Sequence, residues 1–309
     1  MKHIAQNDRG FTLVESALAS LASMVLLAAT LTLMNTIFKA GAHVGQVMET
    51  QQNLRVAMNT ITREITMAGT GLPNGGIAVP SGTNSVPLTR PGAGGTLATP
   101  NNAIAIIAPG NQAGPTINGA ATDAIIIATI NQDSPSWTVQ TFNSNATTLT
   151  FVQEVRNGPN QLFPGDLLMF SNANGSVFGC VTDVSTTASQ AFFQADDAMN
   201  VNQPNAASGN LTSIKNGGDG TTTATRMNIV TYYIDNSVAA HPKLMRAVNA
   251  LVPQIIAEDV ENLQFTFDLF DFTLNTETSN QSTTASPNQI RSVNISIVGR
   301  SPTVLPRTQ

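Results

Sequence analysis

The chain has 309 residues, 41% of them apolar and only 11% charged, with 19 acidic against 14 basic side chains and a net charge of −5. That balance excludes a nucleic-acid reader built on a basic stripe, and the single cysteine excludes an intrachain disulfide. The polar residues are mostly Asn, Thr, Ser and Gln, a composition suited to an exported β-rich surface, and the length allows one large or two small domains beyond any anchor.

The first ten residues, MKHIAQNDRG, are polar and run directly into an apolar stretch. From Ser16 to Phe38 there is neither charge nor Pro. As a helix rising about 1.5 Å per residue, this stretch is roughly 35 Å long, enough to cross a bilayer core. Lys2, Arg9 and the α-amino group outweigh Asp8, so the positive-inside bias predicts a cytoplasmic leader and places everything after Lys39 on the far side. Ala40-Gly41-Ala42 imitates a signal-peptidase site. Against that reading, a secretory signal has an apolar core of only about 7–15 residues. A plain single-pass anchor is the other simple reading.

Neither accounts for Glu15. An ionised side chain within a membrane helix costs about 2.5–3.5 kcal/mol, so it needs a partner or a position from which it snorkels to the interface. The string Gly10-Phe11-Thr12-Leu13-Val14-Glu15 closely resembles the processing site of type IV prepilins and related pseudopilins. The resemblance implies that a membrane prepilin peptidase cuts after Gly10 and methylates the new terminal residue, Phe11. It also implies that Glu15 is an assembly residue whose carboxylate meets the terminal amine, within one subunit or of a neighbour in a filament, where low dielectric favours the pair.

Beyond Lys39 the chain passes Gly41 and Gly45 and resumes a helical period. Val44, Val47, Gln51, Leu54, Met58, Ile61, Ile65 and Ala68 recur at alternating spacings of three and four, which predicts a stripe packed on a sheet. Glu49, Arg55, Asn59, Arg63 and Glu64 are placed on the opposite face. Gly69, Gly71 and Pro73 end the helix. Filament-forming pilins often carry a Pro in the membrane half; this chain has none there.

Residues Gly69 to Asn102 are rich in Gly, Pro, Thr and Asn and read as a connection. Nine short β-prone runs follow: Ala103–Ala108, Ala124–Ile130, Trp137–Thr141, Thr148–Val152, Asp166–Phe170, Ser176–Val184, Ile229–Ile234, Glu261–Phe270 and Ser292–Val298. Separated by Gly, Asn and Pro, they predict antiparallel sheets rather than βαβ units. Asn200–Gly220 and Thr273–Asn288 are poor in apolar residues and read as long loops. The alternation of Leu263, Phe265, Phe267 and Leu269 predicts a core strand with one buried face. Asp166, after Gly165, reads as a turn acid capping backbone N–H groups.

The fold class expected is α+β: a long N-terminal transmembrane and spine helix followed by a β-rich antiparallel, pilin-like head. The boundaries expected are 1–10 leader, 11–38 transmembrane helix, 39–68 amphipathic spine, 69–102 connection and 103–309 head. Several landmarks occur in the order found in minor pilins of the PilW type: Gln52-Asn53-Leu54-Arg55, Arg63-Glu64-Ile65, Ala68-Gly69, Phe163-Pro164-Gly165-Asp166, Ile229 to Ile234, Leu244-Met245-Arg246 and Asp259 to Phe265. Larger minor pseudopilins of type II secretion share the helix and part of this layout.

That resemblance implies a minor pilin that helps initiate or cap a type IV pilus. Its partners would be the prepilin peptidase, other major and minor pilins, the inner-membrane assembly machinery and membrane lipid, with no direct nucleic acid. It would sit in the bacterial inner membrane with the leader cytoplasmic and the head outside, and on the pilus at the cell surface after assembly. A type II secretion pseudopilin and a pilus-tip adhesin are the alternatives, the polar loops Gly69–Asn102 and Asn200–Gly220 being the only hints of the latter.

Chemistry is otherwise sparse. There is no HExxH, no metal-spaced Cys/His set and no Gly-x-Ser-x-Gly elbow, so no enzyme, cofactor or resident metal is predicted. Asp196-Asp197 and the loop Asn216 to Gly220 offer oxygen ligands but lack EF-hand spacing, and read as solvated turns. Cys180 lies in the apolar run Val177–Val184 and reads as a buried, inert thiol.

Overall fold

The structure, a computed structural model, describes residues 12–301 except 74, 75, 93, 132, 159, 160, 187 and 188. Gly10 and Phe11 therefore lie outside the described residues. The chain divides into two compact units that meet in sequence between Glu49 and Thr50, the second being Thr50–Arg300.

Helix α1 runs Leu13–Thr66 without interruption. Gly41 and Gly45 do not break it, and a Cβ at either would meet nothing within 4 Å. The apolar first half is good helix-forming sequence, and its hydroxyls add no unmet demand. Those of Ser16, Ser20, Ser23, Thr30, Thr32 and Thr36 all donate to a carbonyl three or four residues back, at 2.8–2.9 Å. The last turn closes at Gly69, whose φ of +76° favours glycine and whose added Cβ would lie 2.9 Å from Ile106.

The packed face of α1 is narrower and rotated relative to the expected stripe. Ala57 and Ile61 are fully buried, Leu54, Ile65 and Ala68 pack around them, and Val44 and Gln51 are exposed. The true stripe is Ala57, Ile61, Glu64 and Ala68, so Glu64 lies on the packed side rather than the opposite face. Spacings of four, three and four satisfy helical geometry equally well with an acid in the row.

Sixteen strands follow among the described residues. They are β1 Ile107–Gly110, β2 Thr116–Ile117, β3 Ala120–Ala121, β4 Ala124–Ile130, β5 Ser136–Phe142, β6 Thr148–Phe151, β7 Leu167–Asn172, β8 Gly175–Cys180, β9 Asp183–Val184 and β10 Gln190–Phe192. After the one-turn helix α2 Leu211–Ile214 come β11 Thr222–Asp235, β12 Lys243–Val248, β13 Gln254–Glu258, β14 Val260–Asp271, β15 Thr276–Gln281 and β16 Ile290–Gly299. All strand pairings are antiparallel, giving an α+β fold with one long apolar helix ahead of a β-rich antiparallel domain.

Strand β11 organises the large sheet. Its first half pairs with β5 and β7, its second half with β4 and β12. Ile229 to Ile234 is buried on both faces throughout, as a strand with neighbours on both sides and layers above and below must be. The run Ala124–Ile130 divides likewise. Ile125 and Ile127 join the cluster under α1, and Ile126, Ala128 and Ile130 join a second cluster on the other face. A smaller sheet, ordered β15-β14-β16, supplies Leu263, Phe265 and Phe267 to the cluster under α1. Asp123 stitches the two sheets together. Its N–H donates to Leu263 O, and its carboxylate accepts from Phe265 N and Gln112 N at 2.8–2.9 Å.

Several boundaries differ from expectation for identifiable reasons. The first strand begins at Ile107, because Ala103 bridges Ala78 and Ile104 N–H bonds Ile77. The run Ser176–Val184 is broken at Val181, whose N–H and carbonyl are taken by Asp166 O and Gly165 N. The stretch Thr273–Asn288 is not all loop: β15 lies inside it, an edge strand of polar residues that owes its place to backbone pairing with β14. Asn200–Gly220 likewise contains α2, started by a capping box of Asn210 and Ser213.

Candidate functional site

Glu15 sits in the first turn of α1, and its surroundings show how an acid is kept at the head of an apolar helix. Thr12 N–H donates to Glu15 Oε2 at 3.0 Å and the Thr12 hydroxyl to the same oxygen at 2.9 Å, while Glu15 N–H returns to Thr12 Oγ1 at 3.3 Å. This is a reciprocal capping box, and it uses two of the donors that a helix start leaves free. The carboxylate also lies at the positive end of the helix dipole. The T-x-x-E spacing was legible in the sequence, but the reading of Glu15 as a misfit acid passed over it.

Downstream, Leu18, Leu21, Val25, Leu26 and Leu31 are each more than half exposed. With every side-chain hydroxyl of the stretch returned to the backbone, α1 presents an apolar surface from Ala17 to Phe38 that the Asn35 amide alone interrupts. It is long and apolar enough to cross a membrane. No family model, no curated protein and no solved structure matches this chain. Its chemistry therefore has to be read from its own side chains.

Within Thr50–Arg300, a second constellation ties the helix to the sheet. Glu64 Oε1 accepts from Arg246 Nε at 2.9 Å and forms an ion pair with Nη2, and Oε2 accepts from the Tyr232 hydroxyl at 2.8 Å. Tyr232 on β11 and Arg246 on β12 are paired residues of adjacent strands, so the sheet register itself builds the receptor for the helix acid. Burial first, then the charge of Glu64, pushes the Tyr232 phenol up, which keeps it a hydrogen-bond donor. Three separate landmark strings of the sequence, Arg63-Glu64-Ile65, the Tyr232-Tyr233 run and Leu244-Met245-Arg246, thus converge on one contact. Sequence reasoning placed Glu64 in solvent because an acid does not score on an apolar stripe.

Asp166, Asp197 and Asp219 have structural partners. Asp166 accepts from Phe163 N–H at 2.9 Å and pairs with Arg226 Nη2 at 2.9 Å, so the turn acid has an ion-pair duty as well. Asp197 accepts from Met199, Val201 and Asn202 N–H, and Asp219 from Phe142 N–H. These carboxylates organise loops; among the described residues no group of three His, Cys, Asp or Glu side chains gathers at a metal-binding distance. His241 pairs with Asp259 at 2.8 Å.

Cys180 is 2% exposed, and its neighbour Asn202 closes the site by accepting from Cys180 N–H and donating to Cys180 O. Burial, with Asp197 and Asp166 nearby, pushes its thiol up to about 12 from an ordinary value of 9.0. An acid whose folded value is raised lends stability that is complete below its unfolded value. As pH climbs from about 9 toward 12 the unfolded chain loses this proton first, so folding stability falls by up to about 1.4 kcal/mol per pH unit from this group. Cys180→Ala should flatten the alkaline limb of a denaturation-versus-pH profile. An unchanged limb, or rapid alkylation of native Cys180 at pH 8, would contradict the sealed environment.

Proposed function

We propose that this protein is a minor pilin resembling the PilW type, an inner-membrane prepilin trimmed after Gly10 that enters a type IV pilus and helps initiate or cap it. The observation supporting this reading is the head of α1, a capped acid leading an apolar stretch whose side-chain hydroxyls all bond back to the helix backbone. In the membrane, the Thr12 donors and the helix dipole shelter the Glu15 carboxylate. In the filament, the methylated amine of Phe11, from the same or an adjacent subunit, offers a full positive charge in a low-dielectric core and outcompetes neutral donors. Glu15 sets register because a subunit one position out of place leaves that charge unpaired.

Glu15→Ala is expected to leave membrane insertion intact and reduce incorporation into sheared pili about tenfold or more, as loss of a charge pair worth at least about 1.4 kcal/mol requires. Glu15→Gln, which keeps the shape, should fall between. Equal incorporation of all three would defeat the assembly role. Mass spectrometry of the mature chain should find N-methylated Phe11 as its first residue. Deletion should reduce twitching and surface pili; loss of enzyme secretion with normal pili would instead identify a type II secretion pseudopilin.

A further inference from the structure

Among the described residues, its sheet edge sets β16 apart from the other strands. An edge strand leaves alternate N–H and C=O groups free, and stable proteins blunt such edges with brevity, Pro, charge or a covering segment. Among the described residues, β2, β3 and β9 are two residues long, and β1 is four residues long and contains Pro109. Strand β13 is five residues long and ends on Glu258, β15 has no apolar side chain, and β8 is covered where Ala78 N–H bonds Ser176 O.

Strand β16 has none of these protections. It runs ten residues, roughly 33 Å, and among the described residues pairs on one side only, with β14. It contains no Pro and no acid, and its single charge, Arg291, is folded over the Phe272 ring at 4.3 Å. Its inward row is also incompletely covered. Leu263, Phe265 and Phe267 on β14 are at most 2% exposed, yet their β16 partners Ile297, Ile295 and Val293 are only half-buried. Free backbone groups and a partly covered apolar row lie along the same line, and another extended strand satisfies both.

We propose that this edge is a strand-addition site whose occupant is β16 of a second copy of the chain, paired antiparallel about a two-fold axis at Asn294. The strand is complementary to itself in that register. Asn294 faces Asn294, Ser292 faces Ser296, Val293 faces Ile295, and the two Arg291 side chains are held about 20 Å apart. Apolar residues meet apolar residues on the inner face, small polar residues meet on the outer face, and no like charges oppose. The result is a continuous six-stranded sheet with an isologous interface.

The test uses the full-length chain in detergent, in a Cys180→Ala background. Single cysteines at 292, 294 and 296 are oxidised alone and in mixtures. Asn294→Cys should cross-link to itself and Ser292→Cys to Ser296→Cys, while Thr278→Cys on the far edge of the same sheet should not. Ser292→Lys with Ser296→Lys, both on the solvent face, should raise the dimer–monomer midpoint at least about tenfold by light scattering, with an unchanged far-ultraviolet dichroism spectrum. The proposal is overturned if the protein is monomeric at tens of micromolar. It is equally overturned if no combination at these three positions cross-links, which includes the case of a dimer joined only through α1. Cross-linking remains decisive even if the lysine variant fails to fold.

Discussion

Replacing Arg246 by Ala is expected to destabilise Thr50–Arg300 by about 2–4 kcal/mol, because it leaves the Glu64 carboxylate half-buried with only the Tyr232 hydroxyl to solvate it. The side chains of Glu64 and Arg246 are 16% and 22% exposed, so water replaces little of what the guanidinium supplies. Glu64→Ala should cost a similar amount. The double variant should cost less than the sum, since removing both charges leaves neither stranded, with a coupling of about 1–3 kcal/mol. Trp137, the single tryptophan and 1% exposed, reports unfolding in urea. Strict additivity in that cycle, or a loss below about 0.5 kcal/mol for Arg246→Ala, would show that the contact does not hold the helix to the sheet.

The companion expectation concerns the apolar half of the same attachment. Ile61→Ala should cost about 2–5 kcal/mol, while Val56→Ala, earlier in α1 and 54% exposed, should stay within about 0.5 kcal/mol. Ile61 is fully buried among Ile127, Val230, Phe265 and their neighbours, rigid strand residues that cannot collapse into the space it leaves. Equal effects at the two positions would mean that α1 packs on a different face.

Particular residues show how far the sequence could be read. The run Ala124–Ile130 identified its strand to the residue, because seven apolar or small side chains between turn formers have few alternatives. The alternation of Leu263, Phe265 and Phe267 identified both β14 and its inward face. By contrast β15, Thr-Glu-Thr-Ser-Asn-Gln, has no hydrophobic signal, since both its faces meet solvent and only the ladder with β14 fixes it. Strand β12 was quoted for its Leu244-Met245-Arg246 string but not recognised as a strand. Arg246 interrupts its pattern for a reason that lies in a helix residue 182 positions away.

The sequence by itself determined the long apolar helix, the antiparallel β-rich domain after it, and the standing of Glu15 as an acid in need of a partner. Each follows from composition and period within a short window. Only the tertiary structure decided which face of the helix is packed and that Glu64 belongs to that face. It also decided that β16 ends a sheet unguarded. Those outcomes depend on strand order and register, which bring distant residues side by side, and neither is encoded in any local stretch of chain.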